Sequence, residues 1–389
     1  MSRAVLLHPA ARLSSFYGAI FLVAGIQLPF WPVWLAARGL TAREIGIVLG
    51  AAIWAKMLAT PAIGAIADRS GARRGVMGSL AATALVAYVG LWPASPFSVF
   101  VVLNLVALTA QSALMPLGDT VTLAACRMAG HDYGRIRLWG SVTFILASLT
   151  NGAVLASSAG DQVLPLVVGA SALLLLACLA VPRVVGPAGD AGRVGGIRAI
   201  AGDMKFWIFV LTASALQASH QVYYGFGTLY WRSLGLSDVT IGFLWAEGVL
   251  AEIVLFWQGR RLLTRVGPLG LMMLGGVAGI LRWSLAGLVS WLPGVTALQL
   301  LHAFTFGASH LGAMHFLSRA VPLSAAASAQ SLYAAASSGL GSGLVMVIAG
   351  VLYGSYGGEA YLFMTLLSAA GLLGAVGLHS AGWNRSGSR

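Results

Sequence analysis

The chain has 389 residues, of which 58% are hydrophobic and only 9% charged. A soluble domain carries roughly 25% charged residues, so most of this surface cannot face water. The net charge of +12 comes from Arg residues in small groups between apolar stretches, not from a basic helix or long basic run; that distribution excludes a nucleic-acid footprint and predicts no nucleic-acid partner.

Apolar stretches of about 20 residues recur along nearly the whole length, each long enough to cross a hydrocarbon core of about 30 Å as a helix. The short alternating segments of an outer-membrane barrel are absent. The pattern predicts an all-α membrane protein with spans near 13–37, 43–67, 74–92, 96–126, 135–158, 162–182, 205–231, 238–260, 268–290, 293–319, 326–354 and 358–380.

Arg3 and Arg12 precede the first run, which contains Pro29 and Pro32 and lacks a small-residue cleavage site. It reads as a first span rather than a removed signal peptide. Gln27 and Trp31 on it are candidate substrate contacts, and Trp31 belongs with Phe30 and Trp34 to an aromatic cluster at the span's end. Lys56 stands at the middle of the second span. The following loop reads Gly64-Ala-Ile-Ala-Asp68-Arg69-Ser-Gly71-Ala-Arg73-Arg74. Here Gly64 is expected to allow close helix approach, Gly71 a tight turn, and Asp68 to pair with an Arg or cap a neighbouring helix.

Asp119 lies on the fourth span and Arg137 at the start of the fifth. Cys126 and Cys178 are far apart, at or inside apolar spans, and read as buried small hydrophobes with no disulfide and no metal site. A Gly- and Arg-rich connection divides the chain into an N-terminal half, 1–182, a linker, 183–204, and a C-terminal half, 205–389.

On the seventh span Gln217, Gln221, Tyr224 and Thr228 share one stripe, suited to a wetted pathway, with His220 and Tyr223 beside it. On the eighth, Glu252 lies about 140° around from Glu247, so the two cannot both face one cavity. Trp245 shares the stripe of Glu252 and favours Glu252 as the cavity-facing acid. Glu247 is then expected to pair toward the periplasmic side. Arg282 sits in the ninth span; in the tenth, His302, Thr305 and Ser309 share a face from which His310 and His315 point away. The run Gly339-Leu-Gly341-Ser-Gly343 follows no strand and reads as close helix packing, not a dinucleotide loop.

Eighteen of the 23 Lys and Arg residues fall on one side of these spans and three on the other. That bias places both termini and the linker in the cytoplasm. An internal repeat supports two pseudo-symmetric six-helix bundles. Arg38-Gly39-Leu40 with Ile45-Gly46 recurs as Leu234-Gly235-Leu236 with Ile241-Gly242, an offset of 196 that puts Lys56 onto Glu252. Each ionised side chain at mid-helix costs about 2.5–3.5 kcal/mol on insertion scales. Lys56, Asp119, Arg137, Glu247, Glu252 and Arg282 are therefore expected to face water or one another. No HExxH, GxSxG or P-loop is present, so neither catalysis, ATP drive nor a cofactor is supported.

The loop from Gly64 to Arg74 resembles the signature loop of the major facilitator superfamily. The segments Leu28-Pro-Phe-Trp-Pro-Val-Trp-Leu35, Asp132-Tyr-Gly-Arg-Ile-Arg-Leu-Trp-Gly-Ser141, Tyr223-Tyr-Gly-Phe226 and Leu301-His302 resemble the 3-phenylpropionate (hydrocinnamate):proton symporters. That family is similar to the oligosaccharide:proton symporters that include lactose permease, which the run Tyr133 to Gly140 also matches. The resemblance implies the major facilitator fold with twelve helices and proton-coupled uptake of a small aromatic carboxylate by alternating access. A carrier of this kind acts as a monomer in the bacterial inner membrane. A symporter for a sugar or nucleoside, or an efflux carrier, are the alternatives.

By the same resemblance, Asp119 and Arg137 form a substrate-side acid and base, while Arg282 and His302 belong to a proton-coupling cluster. The chain departs from the sugar symporters one turn after His302, where their coupling glutamate is replaced by Thr305. Glu252, Arg282, His302 and Asp119 are thus the proton-coupling candidates. Lys56, Arg137, Gln27, Trp31, Gln221, Tyr224 and Trp245 are the substrate-binding candidates, and Gly64, Asp68, Arg69, Gly71 and Arg73 the gating loop.

Overall fold

The computed structural model describes residues 9–93, 96–156, 160–182, 202–321 and 326–382. Every regular element among them is helical. The expected linker lies outside the described residues as far as residue 201.

Helix starts follow local chemistry. Ahead of α2 (Ala42–Ser70), the Thr41 backbone N–H donates to Glu44 Oε2 at 2.8 Å and the Glu44 N–H donates to Thr41 Oγ1 at 3.3 Å. This reciprocal box satisfies two backbone donors that the first turn leaves without partners. Asp132 caps Tyr133–Leu155, Asp203 caps Met204–Ala218, and Ser237 caps Asp238–Ala286, each through its side-chain oxygen.

Seven helical runs among the described residues are long and apolar enough to cross a membrane. Two of them, Asp238–Ala286 and Ala329–Ser380, hold 49 and 52 residues, more than twice the roughly 20 a span needs. The first is broken at Gly267, whose φ of 74° only a residue without a Cβ adopts readily, and Pro268 follows. The expected fourth span is two helices, Phe97–Ser112 and Leu114–Ala129, joined at Ala113.

The chain divides into two compact units, Met1–Arg38 with Trp54–Gly189, and Gly39–Ile53 with Asp190–Arg389. The second unit thus takes in the segment Gly39–Ile53, which a division at residue 182 places in the first half. The reason is a close approach between glycines: a Cβ on Gly46 would lie 2.8 Å from the α-carbon of Gly350, so the two backbones touch where neither residue has a side chain. In the first unit, Pro9–Ala37 packs against Tyr133–Leu155 and Val163–Ala180. In the second, Asp238–Ala286 packs against Tyr361–Ser380.

Two expected spans of the second unit are interrupted at mid-length. The seventh stops after Ala218, turns at Ser219 and His220, and resumes as Gln221–Ser233. The tenth runs Leu292–Leu300, then winds as a π-helix over Ala303–Ala308 before Ser309–Ala320. A second π-helical segment, Ala335–Gly341, holds the first glycines of the eleventh span's run. Breaks of this kind release backbone groups and re-aim side chains, and they cluster at functional sites.

Candidate functional site

The two interrupted spans bring a set of polar side chains onto Arg282, which is 1% exposed. Its guanidinium can only donate hydrogen bonds. Nη1 lies 3.1 Å from His302 Nδ1 and donates to Thr305 Oγ1 at 3.0 Å; Nη2 donates to Gln299 Oε1 at 2.6 Å. The rings of Tyr223, 4.8 Å away, and Trp283, 4.4 Å away, pack against it. Gln299 Nε2 in turn donates to Tyr223 Oη and to the Leu244 carbonyl, both at 3.1 Å.

On the far side of this core, Glu252 Oε2 stands 3.8 Å from His302 Nε2. On the near side, His220 Nε2 lies 3.1 Å from Thr305 Oγ1, and His220 Nδ1 is 3.2 Å from the Gln217 carbonyl. The cluster thus runs from a carboxylate, through a histidine, a guanidinium and a hydroxyl, to a second histidine. A small cavity of about 20 Å³, lined by Tyr223, Trp231, Arg282, Gln299 and Tyr361 among others, has room for a single water.

Glu252, Arg282 and His302 therefore come together, and Trp245 joins their edge. Its ring stacks on Tyr223 at 4.5 Å, and its Nε1 donates to Thr228 Oγ1 at 2.9 Å. The Tyr224 ring stacks on His220 at 5.7 Å, and Gln221 is buried beside it in sequence. His220, Tyr223 and Gln299 complete the network without having been assigned a role from the sequence. Gln299 lies one turn before His302 and so shares its face, a signal available in the sequence. The turn that aims His220 at Thr305 left no comparable trace.

Glu247 differs from expectation. It is 9% exposed and its Oε2 has no hydrogen-bond partner, and no ion pair involves it among the described residues. Ideal helical geometry pointed it away from the side of Glu252, but the expected ion pair is not formed among the described residues. His310 also departs from its expected direction. The rings of His302, Phe306 and His310 stack in series at 5.6 and 5.8 Å, with interplanar angles of 8° and 4°. The π-helical turn is wider than an α-turn, so residues four apart come into line and His310 falls on the His302 face. Ser309, expected beside Thr305, has a buried Oγ with no hydrogen-bond partner.

In the first unit, Asp119 and Arg137 do not form an ion pair. Asp119 Oδ1 accepts from Tyr17 Oη at 2.5 Å and Tyr133 Oη at 3.0 Å. Arg137 instead stands over the rings of Tyr17, 5.3 Å away, and Phe21, 4.5 Å away. Tyr17 sits between acid and base and takes the contact that each was expected to make with the other.

Gln27 and Trp31 are buried with internal partners. Gln27 Nε2 donates to Tyr88 Oη at 2.6 Å, Tyr88 donates to Gln111 Oε1 at 2.7 Å, and Gln111 Nε2 returns to Gln27 Oε1 at 2.9 Å. Trp31 gives its N–H to Asn104 and stacks on Trp34 at 4.7 Å. Lys56 is the middle residue of α2, half-buried, and forms no ion pair among the described residues.

In the loop after α2, Asp68 Oδ1 receives Arg73 Nε at 3.1 Å and Nη2 at 2.8 Å, and Gly71 takes a φ of 63°. Arg69 is exposed. Gly64 borders open space rather than a neighbouring helix, so it serves no close approach here. No group of His, Cys, Asp or Glu that could hold a metal occurs among the described residues.

A family model described as the MFS_1 like family matches residues 10–365. A probable 3-phenylpropionic acid transporter from Escherichia coli (strain K12) is 30% identical over 366 residues, covering 94% of this chain and 96% of that protein. The maltose permease of Geobacillus stearothermophilus is 28% identical over 372 residues, covering 92% and 91%. Among solved structures, the nucleoside transporter NupG superposes with a TM-score of 0.84 at 17% identity, covering 96% of this chain and 99% of that one. A likeness at that identity speaks to the fold alone.

Proposed function

Starting from a chain that belongs to the MFS_1 like family of the major facilitator superfamily, we propose that it takes up a small aromatic carboxylate, such as 3-phenylpropionate, together with protons. That it is a multi-pass membrane protein of the major facilitator type, a secondary transporter of a small organic solute and not an enzyme, follows from the family and from its relatives. The choice of an aromatic acid is the further step.

The observation that carries it is Lys56. An ammonium at the middle of an apolar helix costs several kcal/mol unless it meets water or an anion, and Lys56 has no carboxylate partner among the described residues. A carboxylate substrate supplies that charge; a neutral sugar or nucleoside gives the ammonium nothing to neutralise. Arg282 is less suited to this task, because three of its N–H donors already serve His302, Thr305 and Gln299. Its place is in proton coupling, with His302 and Glu252. Arg137, Gln221, Tyr224 and Trp245 remain the proposed substrate contacts. Gln27 and Trp31, whose polar atoms bond within the first unit, shape its interior.

The proposal extends to twelve membrane-spanning helices in two six-helix bundles, 1–182 and 205–389, working by alternating access as a monomer in the bacterial inner membrane with both termini cytoplasmic. The maltose permease similarity supports sugar symport as the second reading.

The test is uptake of labelled 3-phenylpropionate, maltose and uridine into proteoliposomes, with and without a protonophore. Accumulation of 3-phenylpropionate alone, abolished by the protonophore, is expected. Lys56→Gln should raise its half-saturation at least about tenfold, the factor that roughly 1.4 kcal/mol of lost charge contact represents. Uptake of maltose or uridine in preference, or an unchanged half-saturation in Lys56→Gln, refutes the reading.

A further inference from the structure

We propose that His220 is a second proton-binding residue of the carrier, and that the Thr305 hydroxyl is the switch that turns when His220 gains its proton. This rests on the proton-coupled reading above and deepens it.

Hydrogen-bond direction fixes where each histidine ring carries its proton. Arg282 has no acceptor, so His302 Nδ1, 3.1 Å from Nη1, must present a lone pair. The neutral His302 ring then carries its proton on Nε2, the nitrogen that faces Glu252 at 3.8 Å. A second proton on His302 would set an N–H against the Arg282 N–H and break their bond. His302 is therefore held in one tautomer and one charge state for as long as Arg282 stays in place.

His220 is built differently. Its Nδ1 is 3.2 Å from the Gln217 carbonyl, which can only accept, so Nδ1 carries a proton. In the neutral ring Nε2 is a lone pair, and it accepts from the Thr305 hydroxyl at 3.1 Å. The same oxygen accepts from Arg282 at 3.0 Å. When His220 takes a second proton from solvent, one Nε2–H bond forms and no other covalent bond changes. The Thr305 hydroxyl then turns its hydrogen to the His302 carbonyl, 3.4 Å away and already within reach. Its oxygen accepts from both Arg282 and His220, using the two lone pairs a hydroxyl has.

The ionic and titratable groups that face His220 are Arg282 across Thr305, His302 with ring centroids 5.8 Å apart, and Tyr224 at 5.7 Å. Trp283 and Phe306 close the remaining sides as neutral rings. A cation on His220 stands near the fixed charge of Arg282, which opposes it, so His220 is charged while Glu252, beyond His302, is ionised and offsets that repulsion. Thr305, where the sugar symporters resembled by this chain have an acid, is thereby part of the proton path through its hydroxyl.

The experiment has two arms. In the first, 15N-histidine-labelled protein in lipid is followed by solid-state NMR across pH, with His220 and His302 assigned by loss of their signals in His220→Gln and His302→Gln. His220 is expected to pass from one proton on Nδ1 to two, while His302 keeps a single proton on Nε2. Thr305→Val, which removes the hydroxyl, abolishes the second protonation of His220, and Thr305→Ser retains it. A His220 that stays singly protonated wherever the protein is folded, or a Thr305→Val titration like wild type, overturns the proposal. This arm needs no substrate, so it decides the matter even if 3-phenylpropionate is not the solute carried.

In the second arm, His220→Gln, Thr305→Val and Thr305→Ser are compared in proteoliposomes with labelled 3-phenylpropionate. Exchange without a pH gradient is expected to survive in all three. Gradient-driven accumulation falls at least about tenfold in the first two and not in Thr305→Ser, with the pH profile lost rather than scaled. Wild-type-like accumulation in His220→Gln, or equal loss of exchange and accumulation in both His220→Gln and Thr305→Val, overturns the proposal, since packing alone then accounts for them.

Discussion

Replacing Arg282 with Lys keeps the charge and removes the geometry. The guanidinium makes three hydrogen bonds from two nitrogens, to His302, Thr305 and Gln299, and packs against the Tyr223 and Trp283 rings. An ammonium is a point donor on a shorter stem, so at least one of those bonds fails and both ring contacts weaken. A lost bond to a charged group costs about 1.5–3 kcal/mol, and each ring contact about 0.5–2 kcal/mol where desolvated. With one bond lost and about half of each ring contact, the expected destabilisation of Arg282→Lys is about 2–5 kcal/mol. Cys126 and Cys178 are both buried, so a thiol-reactive fluorophore reports unfolding of the purified protein in a denaturant titration. Gln299→Leu, which removes one acceptor of the guanidinium and leaves its other contacts, should cost about 1–3 kcal/mol. A loss below about 1 kcal/mol for Arg282→Lys refutes the view that its fixed fork organises the site.

Further substitutions address separate parts of the molecule. Glu252→Gln should preserve exchange and abolish accumulation driven by a pH gradient, because the amide copies the protonated acid but carries no proton; Glu247→Gln should do much less, and the reverse order would move the coupling to Glu247. Asp119→Asn should lose about 2 kcal/mol, as two tyrosine bonds fall from charge-assisted to neutral strength. Because Tyr17 stands between Asp119 and Arg137, exchanging the two charges should restore nothing, and recovery of transport in that double mutant would contradict the geometry. Gly312→Ala puts a Cβ 2.5 Å from the Pro268 carbonyl oxygen and 3.0 Å from Met272 Cγ, so overpacking should cost about 1–3 kcal/mol, visible as a lower denaturant midpoint.

The sequence alone determined that this is a helical membrane protein, because hydrophobic length and charge scarcity follow directly from the thickness of a bilayer. It also determined that Asp68 would pair with an Arg, since the partner, Arg73, is a near neighbour in the chain. It singled out Glu252, Arg282 and His302, since a charged or titratable side chain is expensive in an apolar helix whatever its partner. What it could not supply was the partner. Helical stripes were drawn at 100° per residue, and that phase holds only while the helix is regular. The turn at Ser219 and His220 and the π-helical segment Ala303–Ala308 reset it, which is why His310 joined the His302 face and His220 entered the cluster. His220 and Thr305 are 85 residues apart and Asp119 and Tyr17 are 102. Only the packing of one helix on another decides such pairs, because a hydrogen bond depends on distance and direction in space, and neither is written in local periodicity.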